Sequence, residues 1–172
     1  MEKIIDTNVP LTSVDLDSVL GLDCVLSCIR LMKEIHEGRY TLVLDDSRIV
    51  LSQYEANIRK GGDHGMAGHF LSWVYSNYVN EEKVRLVKVE RLGAGDDFEE
   101  LPDEVRQSGF DRSDRVFVAL SIANGNQAPI VQAADSKWIG WEEMLARHGV
   151  RLEFPCRQAL EVVHKRKDKR RK

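Results

Sequence analysis

No apolar run in this chain approaches the roughly 20 residues that a membrane span requires, so the sequence contains no candidate transmembrane segment. The N-terminus has no basic stretch followed by an apolar run. There is therefore no secretion signal to read, and a reducing cytoplasm is the expected compartment. Cysteine is scarce: Cys24, Cys28 and Cys156 are three in number and cannot all pair with one another. Neither an internal repeat nor a low-complexity segment precedes the C-terminal end. The glycines of Gly61-Gly62 and Gly93-Ala94-Gly95 match no phosphate-cradling pattern.

What remains is an ordinary globular composition with an uneven charge. A chain of 172 residues fits one domain with a real core. The net charge of -3 hides a basic end, because Lys165 to Lys172 hold seven basic side chains and one aspartate. The rest of the chain is strongly acidic, which argues against a generic phosphate-coating surface and is compatible with carboxylates that hold cations. Residues 1–157 are expected to form the domain. Residues 158–172 are expected to be a disordered basic tail, able to touch nucleic acid.

The hydrophobic pattern alternates between strands and helices. Strands are expected at 2–6, 40–44, 84–89, 130–134 and 150–154. Val25, Cys28, Ile29, Met32 and Ile35 recur at spacings of three and four, predicting a helix over 16–37 that ends at Gly38. Further helices are expected to about Lys60 after the Asp45-Asp46-Ser47 cap, then from Met66 to Tyr78. Others are expected within 99–107, after Asp111 or Arg112, and over 138–147. This order implies an α/β fold with a parallel sheet covered on both faces.

Two of these strands end in aspartate: Asp6, in Ile4-Ile5-Asp6-Thr7-Asn8, and Asp135, in Ala133-Ala134-Asp135-Ser136. Ligands of open parallel sheets bind beyond the carboxyl ends of the strands, where strand order reverses. If the first and fourth strands are neighbours, Asp6 and Asp135 meet, and Asp114 can point to the same place. Clustered carboxylates repel one another, and a divalent cation relieves that repulsion. Mg²⁺ and Mn²⁺ favour oxygen ligands and acidify a coordinated water for attack on a phosphodiester. Each acid also has a plainer use. Asp6 suits an Asx turn, Asp114 a helix N-terminus, and Asp135 a cap for the next helix.

These segments resemble the PIN-domain nucleases. Ile4 to Asn8 resembles the family's opening strand, Asp111 to Leu120 its third-acid helix, Ile130 to Trp138 the strand ending in its last acid, and Gly149 to Phe154 its final strand. The resemblance implies a three-layer α/β/α sandwich with a five-stranded parallel sheet in the order 3-2-1-4-5. It implies a Mg²⁺- or Mn²⁺-dependent endonuclease, with RNA as the favoured substrate. Asp6, Asp114 and Asp135 would be metal ligands, with Asn8 and Ser136 in support. The family's second acid has two candidates here, Gln53 and Glu55, which lie about 200° apart on a helix; Glu55 is favoured as the catalytic acid. Lys137 stands where many relatives carry an aspartate and suits a substrate phosphate. A toxin or phage-defence effector is a plausible setting, with an antitoxin-like protein partner and a homo-oligomer compatible with it. The alternatives are a catalytically weakened binding module, which Gln53 and Lys137 favour, and a DNA-directed nuclease.

Other residues have plainer readings. Cys24 and Cys28 lie on the apolar stripe of their helix, where free cysteine is commonly core. Phe70, Trp73, Trp138 and Trp141 occur in pairs three apart, as helix-on-sheet packing requires. His64 and His69 are too unevenly spaced for one helix face.

Overall fold

The computed structural model describes residues 1–60 and 65–169. Five strands form one all-parallel sheet in the order β3-β2-β1-β4-β5, with eight α-helices among the described residues. The strands are β1 (Glu2–Ile5), β2 (Thr41–Asp45), β3 (Val84–Val87), β4 (Ile130–Val131) and β5 (Leu152–Glu153). The expected order 3-2-1-4-5 is therefore observed, as is the three-layer α/β/α arrangement.

The central strand explains its own position. Ile4 and Ile5 are fully buried, as are Leu42, Val43 and Leu44 beside them and Ile130 on the other side. Strands covered on both faces read as unbroken apolar runs. The chain crosses from β1 through α1 (Asn8–Thr12) and α2 (Leu22–His36) to β2. It continues through α3 (Ile49–Lys60) and α4 (Gly65–Asn77) to β3. A short helix, α5 (Asp103–Gln107), a 3-10 turn (Arg112–Asp114) and α6 (Arg115–Ala123) lead to β4. The last helices are α7 (Lys137–Arg147) and α8 (Arg157–Lys169).

Several elements differ from expectation. The helix read over 16–37 begins only at Leu22, because Gly21 takes a positive φ of 83° immediately before it. Leu16 and Val19 are 73% and 90% exposed, so their apolar character marks no buried stripe. A short helix, α1, stands just beyond Asp6 where a connection was expected. Strands β4 and β5 are two residues each, shorter than their apolar runs.

The expected disordered tail is helical through Lys169. Leu160 is fully buried, and Ala159 and Val163 pack against the core. The Arg157 guanidinium donates to Glu142 on α7 at 2.7 and 2.8 Å and to Glu161 at 2.9 Å. The basic composition thus masks an amphipathic helix. The Gly61-Gly62 break and His64 lie outside the described residues. Among the described residues, no helix is long and apolar enough to cross a membrane.

Candidate carboxylate site at the sheet edge

Strands β1 and β4 are direct neighbours, with Ile4 opposite Ile130 and Ile5 opposite Val131. The Asp6 N–H donates to the Val131 carbonyl at 2.9 Å, extending that pairing by one residue. Asp6 and the chain leading to Asp135 therefore leave the sheet side by side, at the carboxyl ends of adjacent strands. Strand order reverses between them: β1 continues to β2 on one side, and β4 continues to β5 on the other. This is the crevice at which open α/β sheets bind ligands.

Asp6 is 2% exposed. Burial, then the charge of Asp114, then that of Asp135 push its carboxyl from 3.8 up to about 7, against the Asn8 N–H that donates to it. That N–H reaches Asp6 Oδ1 at 2.8 Å. The Asx turn is present, yet one such bond does not offset the burial and the neighbouring charges.

Asp114 reaches the same place from the other half of the chain. Asp111 begins the 3-10 turn, accepting from the Ser113 N–H at 3.4 Å and the Ser113 hydroxyl at 3.2 Å. The turn leaves Asp114 at the N-cap of α6, but its side chain makes no capping bond. Its carboxyl is raised to about 6 by burial, then by the charges of Asp111 and Asp135, against the Ser113 hydroxyl and Lys137. The capping role open to Asp114 is not what its carboxylate does.

Asp135 is half-buried and partly committed, since Oδ1 accepts from the Lys137 N–H at 3.0 Å. Its own N–H donates to the Gln132 side chain at 3.1 Å. Beside it, Ser136 is 1% exposed, and its hydroxyl has no hydrogen-bond partner among the described residues. The Lys137 ammonium lies 3.5 Å from Asp111. Asp111 thus belongs to the same charge cluster. The three-residue spacing of Asp111 and Asp114 was its only sequence signal, and helix capping accounts for that spacing equally well.

The helix after β2 separates the two candidates for the second acid. The Asp45 carboxylate caps α3 by accepting from the Ile49 and Val50 N–H groups at 2.7 and 2.8 Å. The Tyr54 hydroxyl donates to the Ile5 carbonyl at 2.5 Å, fixing the rotation of α3 over the end of β1. With Tyr54 buried, Gln53 faces the 3-10 turn and its amide donates to the Ser113 carbonyl at 2.8 Å. Glu55 faces away, accepting from the Tyr75 hydroxyl of α4 and lying 3.8 Å from Arg48. The expectation that favoured Glu55 is corrected: Gln53 is the α3 residue on the Asp114 side.

The donor set fits a hard divalent cation. It consists of carboxylates, two of them raised by burial and by neighbouring negative charge, beside a buried hydroxyl that has no hydrogen-bond partner among the described residues. Among the described residues, the one group of three candidate ligand atoms within 4.8 Å of one another consists of cysteines.

Next to the acids lies an open groove of about 1230 Å³. Arg106, Arg112, Lys137 and Lys167 line it, together with Phe110 and Trp141. Phe110 stands edge-on to Trp138 and Trp141, with ring centroids 5.1 and 5.9 Å away. Trp138 is core, as its spacing suggested, while Trp141 borders the groove. A basic, aromatic-edged groove therefore adjoins the acidic cluster of a chain whose body is acidic.

No family model, no curated protein and no solved structure matches the chain.

Proposed function

We propose that this protein is a Mg²⁺- or Mn²⁺-dependent endonuclease of the PIN type, acting on RNA. The observation that carries the proposal is the gathering of acids distant in sequence beyond the ends of β1 and β4, where burial and the charges of Asp114 and Asp135 raise Asp6, and burial and the charges of Asp111 and Asp135 raise Asp114. Structural carboxylates are usually paired with cations or hydrogen-bond donors, which lowers their pKa; like charges gathered in a crevice are a functional arrangement. Asp6, Asp114 and Asp135 would hold the ion, with the Ser136 hydroxyl and the Gln53 amide beside them. Bound there, the ion would neutralise negative charge and acidify water for phosphodiester hydrolysis.

The chain's own residues do the rest. The Asn8 N–H orients Asp6, and Lys137 is positioned between the acids and the groove to meet a phosphate. The cations of the groove attract a polyanion, and Trp141 offers a face edge for an unpaired base. Purified protein with Mn²⁺ is expected to cut RNA, and Asp6→Asn to abolish the cutting. Equal cleavage by the variant contradicts the proposal. Running RNA and DNA of one sequence in parallel decides the substrate.

A second reading has one observation in its favour. Gln53 is neutral where it meets the turn that carries Asp114, and Lys137 pairs with Asp111, so the cluster carries less negative charge than four acids would. The domain would then bind nucleic acid without cutting it. Undiminished RNA binding with no Mn²⁺ uptake at millimolar concentration would support that reading.

A further inference from the structure

The three cysteines converge at a second place, distinct from the carboxylates. Cys24 and Cys28 lie one turn apart on the buried side of α2. Cys156 comes from the turn between β5 and α8 and is joined to Cys24 in a disulfide across 132 residues, with Cα atoms 5.1 Å apart. Three cysteines cannot all pair, and here two of them do. Cys28 is a free, fully buried thiol. The three sulfur atoms all lie within 4.8 Å of one another.

A structural disulfide needs two sulfurs, and an apolar side chain would fill the place of Cys28 without adding a third. Thiolates bound to one Zn²⁺ sit about 2.3 Å from it, which spaces neighbouring sulfurs by roughly 4 Å. Two cysteines four apart on a helix share a face, as paired helical metal ligands do. Cys156, half-buried, supplies both the third ligand and an opening to solvent. Sulfur donors select Zn²⁺ over Mg²⁺ or Mn²⁺.

We propose that Cys24, Cys28 and Cys156 form, when reduced, a three-thiolate Zn²⁺ site that is mutually exclusive with the Cys24–Cys156 disulfide. The exchange balances with a dithiol reductant. The reductant delivers two electrons and two protons to the Cys24–Cys156 bond, giving two thiols, and itself becomes a disulfide. Zn²⁺ then replaces the thiol protons. The bound ion would hold the β5–α8 turn against α2, as the disulfide does.

The test uses the full chain, reduced with dithiothreitol and freed of it by gel filtration under argon. Cd²⁺ is the spectroscopic probe, since it gives a thiolate-to-metal absorption in the ultraviolet, and Zn²⁺ is added in competition. The reduced protein should take up one more ion per chain than the oxidised protein, counted by native mass spectrometry. Cys28→Ser keeps the disulfide for an oxidised folding control. Once reduced, it should bind more weakly by well over the roughly 10-fold typical of losing an outer-sphere partner. Asp6→Asn should give the same thiolate-to-metal absorption with Cd²⁺ as the wild type, which separates this site from the carboxylates. If the reduced chain loses helical circular dichroism, recovery on adding Zn²⁺ supports the site. No thiolate absorption, equal binding by Cys28→Ser, or unfolding that Zn²⁺ does not reverse would overturn it.

Discussion

The carboxylate rim and the cysteine cluster make an instructive pair. The rim draws its acids from three separate segments, whereas the cysteines come from two, Cys24 and Cys28 on α2 and Cys156 after β5. The rim presents hard oxygen donors of like charge, and two of its acids are held at about 7 and 6. The cysteines lie within 4.8 Å of one another, two of them joined by a disulfide and the third a free buried thiol. The difference lies in what an ion would do: at the rim it relieves an electrostatic load the fold already carries, while at the cysteines it substitutes for a covalent bond.

The largest effect expected from breaking this comparison is at the rim. Asp135→Asn or Asp114→Asn should reduce Mn²⁺-dependent RNA cleavage by about 10²-fold or more, the scale of losing one electrostatic contributor to a reacting site. Both variants should leave the Cys24–Cys156 disulfide intact by mass mapping. The next largest is at the cysteines. Cys156→Ser opens a closed loop of 132 residues' separation, for which loop entropy gives about 4–5 kcal/mol. Thermal denaturation should show a midpoint lower by roughly 10 °C or more, with cleavage by the still-folded protein preserved.

The rim also has a pH signature. Unfolded Asp6 ionises near 3.8, whereas folded Asp6 keeps its proton to about 7; Asp114 behaves likewise to about 6. Between those values the folded state binds more protons than the unfolded one, so stability falls as pH rises. Without metal, the melting temperature should decline from pH 4 to pH 7, after other titrations are subtracted by comparison with Asp6→Asn. The variant should show a flatter profile and should be more stable than the wild type at pH 8. Mn²⁺ should stabilise the wild type more at pH 8 than at pH 5. A wild-type profile superimposable on that of Asp6→Asn would contradict the assigned coupling.

Smaller effects separate the two α3 candidates. Gln53→Glu adds a carboxylate beside Asp114 and should tighten Mn²⁺ binding, read by calorimetry. Glu55→Ala removes contacts to Tyr75 and Arg48 on the exposed side of α3. It should change stability by under about 1 kcal/mol and leave cleavage unchanged.

The two regions were not equally readable in the sequence. Asp6 was visible because an apolar run ending in an acid is how a buried parallel strand reaches the sheet edge, and β1 obeys that pattern; β4 ends at Val131, so Asp135 lies four residues beyond its strand rather than at its end. Gln53 and Glu55 could not be separated, because the rotation of α3 depends on Tyr54 reaching Ile5 across the layers. Asp111 was hidden by its own capping geometry. The segment 16–21 looked helical from its apolar residues, but Gly21 ends that possibility through its backbone conformation. Cys24 and Cys28 were correctly read as buried. Their link to Cys156 depends on where the turn after β5 lands, which no local pattern records.

The most direct measurement is calorimetric titration of Mn²⁺ into the wild type, Asp6→Asn and Cys28→Ser at pH 7.5. Wild type and Cys28→Ser should bind Mn²⁺ at millimolar concentration or below, and Asp6→Asn should not. Absence of Mn²⁺ binding by the wild type, or equal binding by Asp6→Asn, would contradict the assignment of the sheet-edge acids as the metal centre.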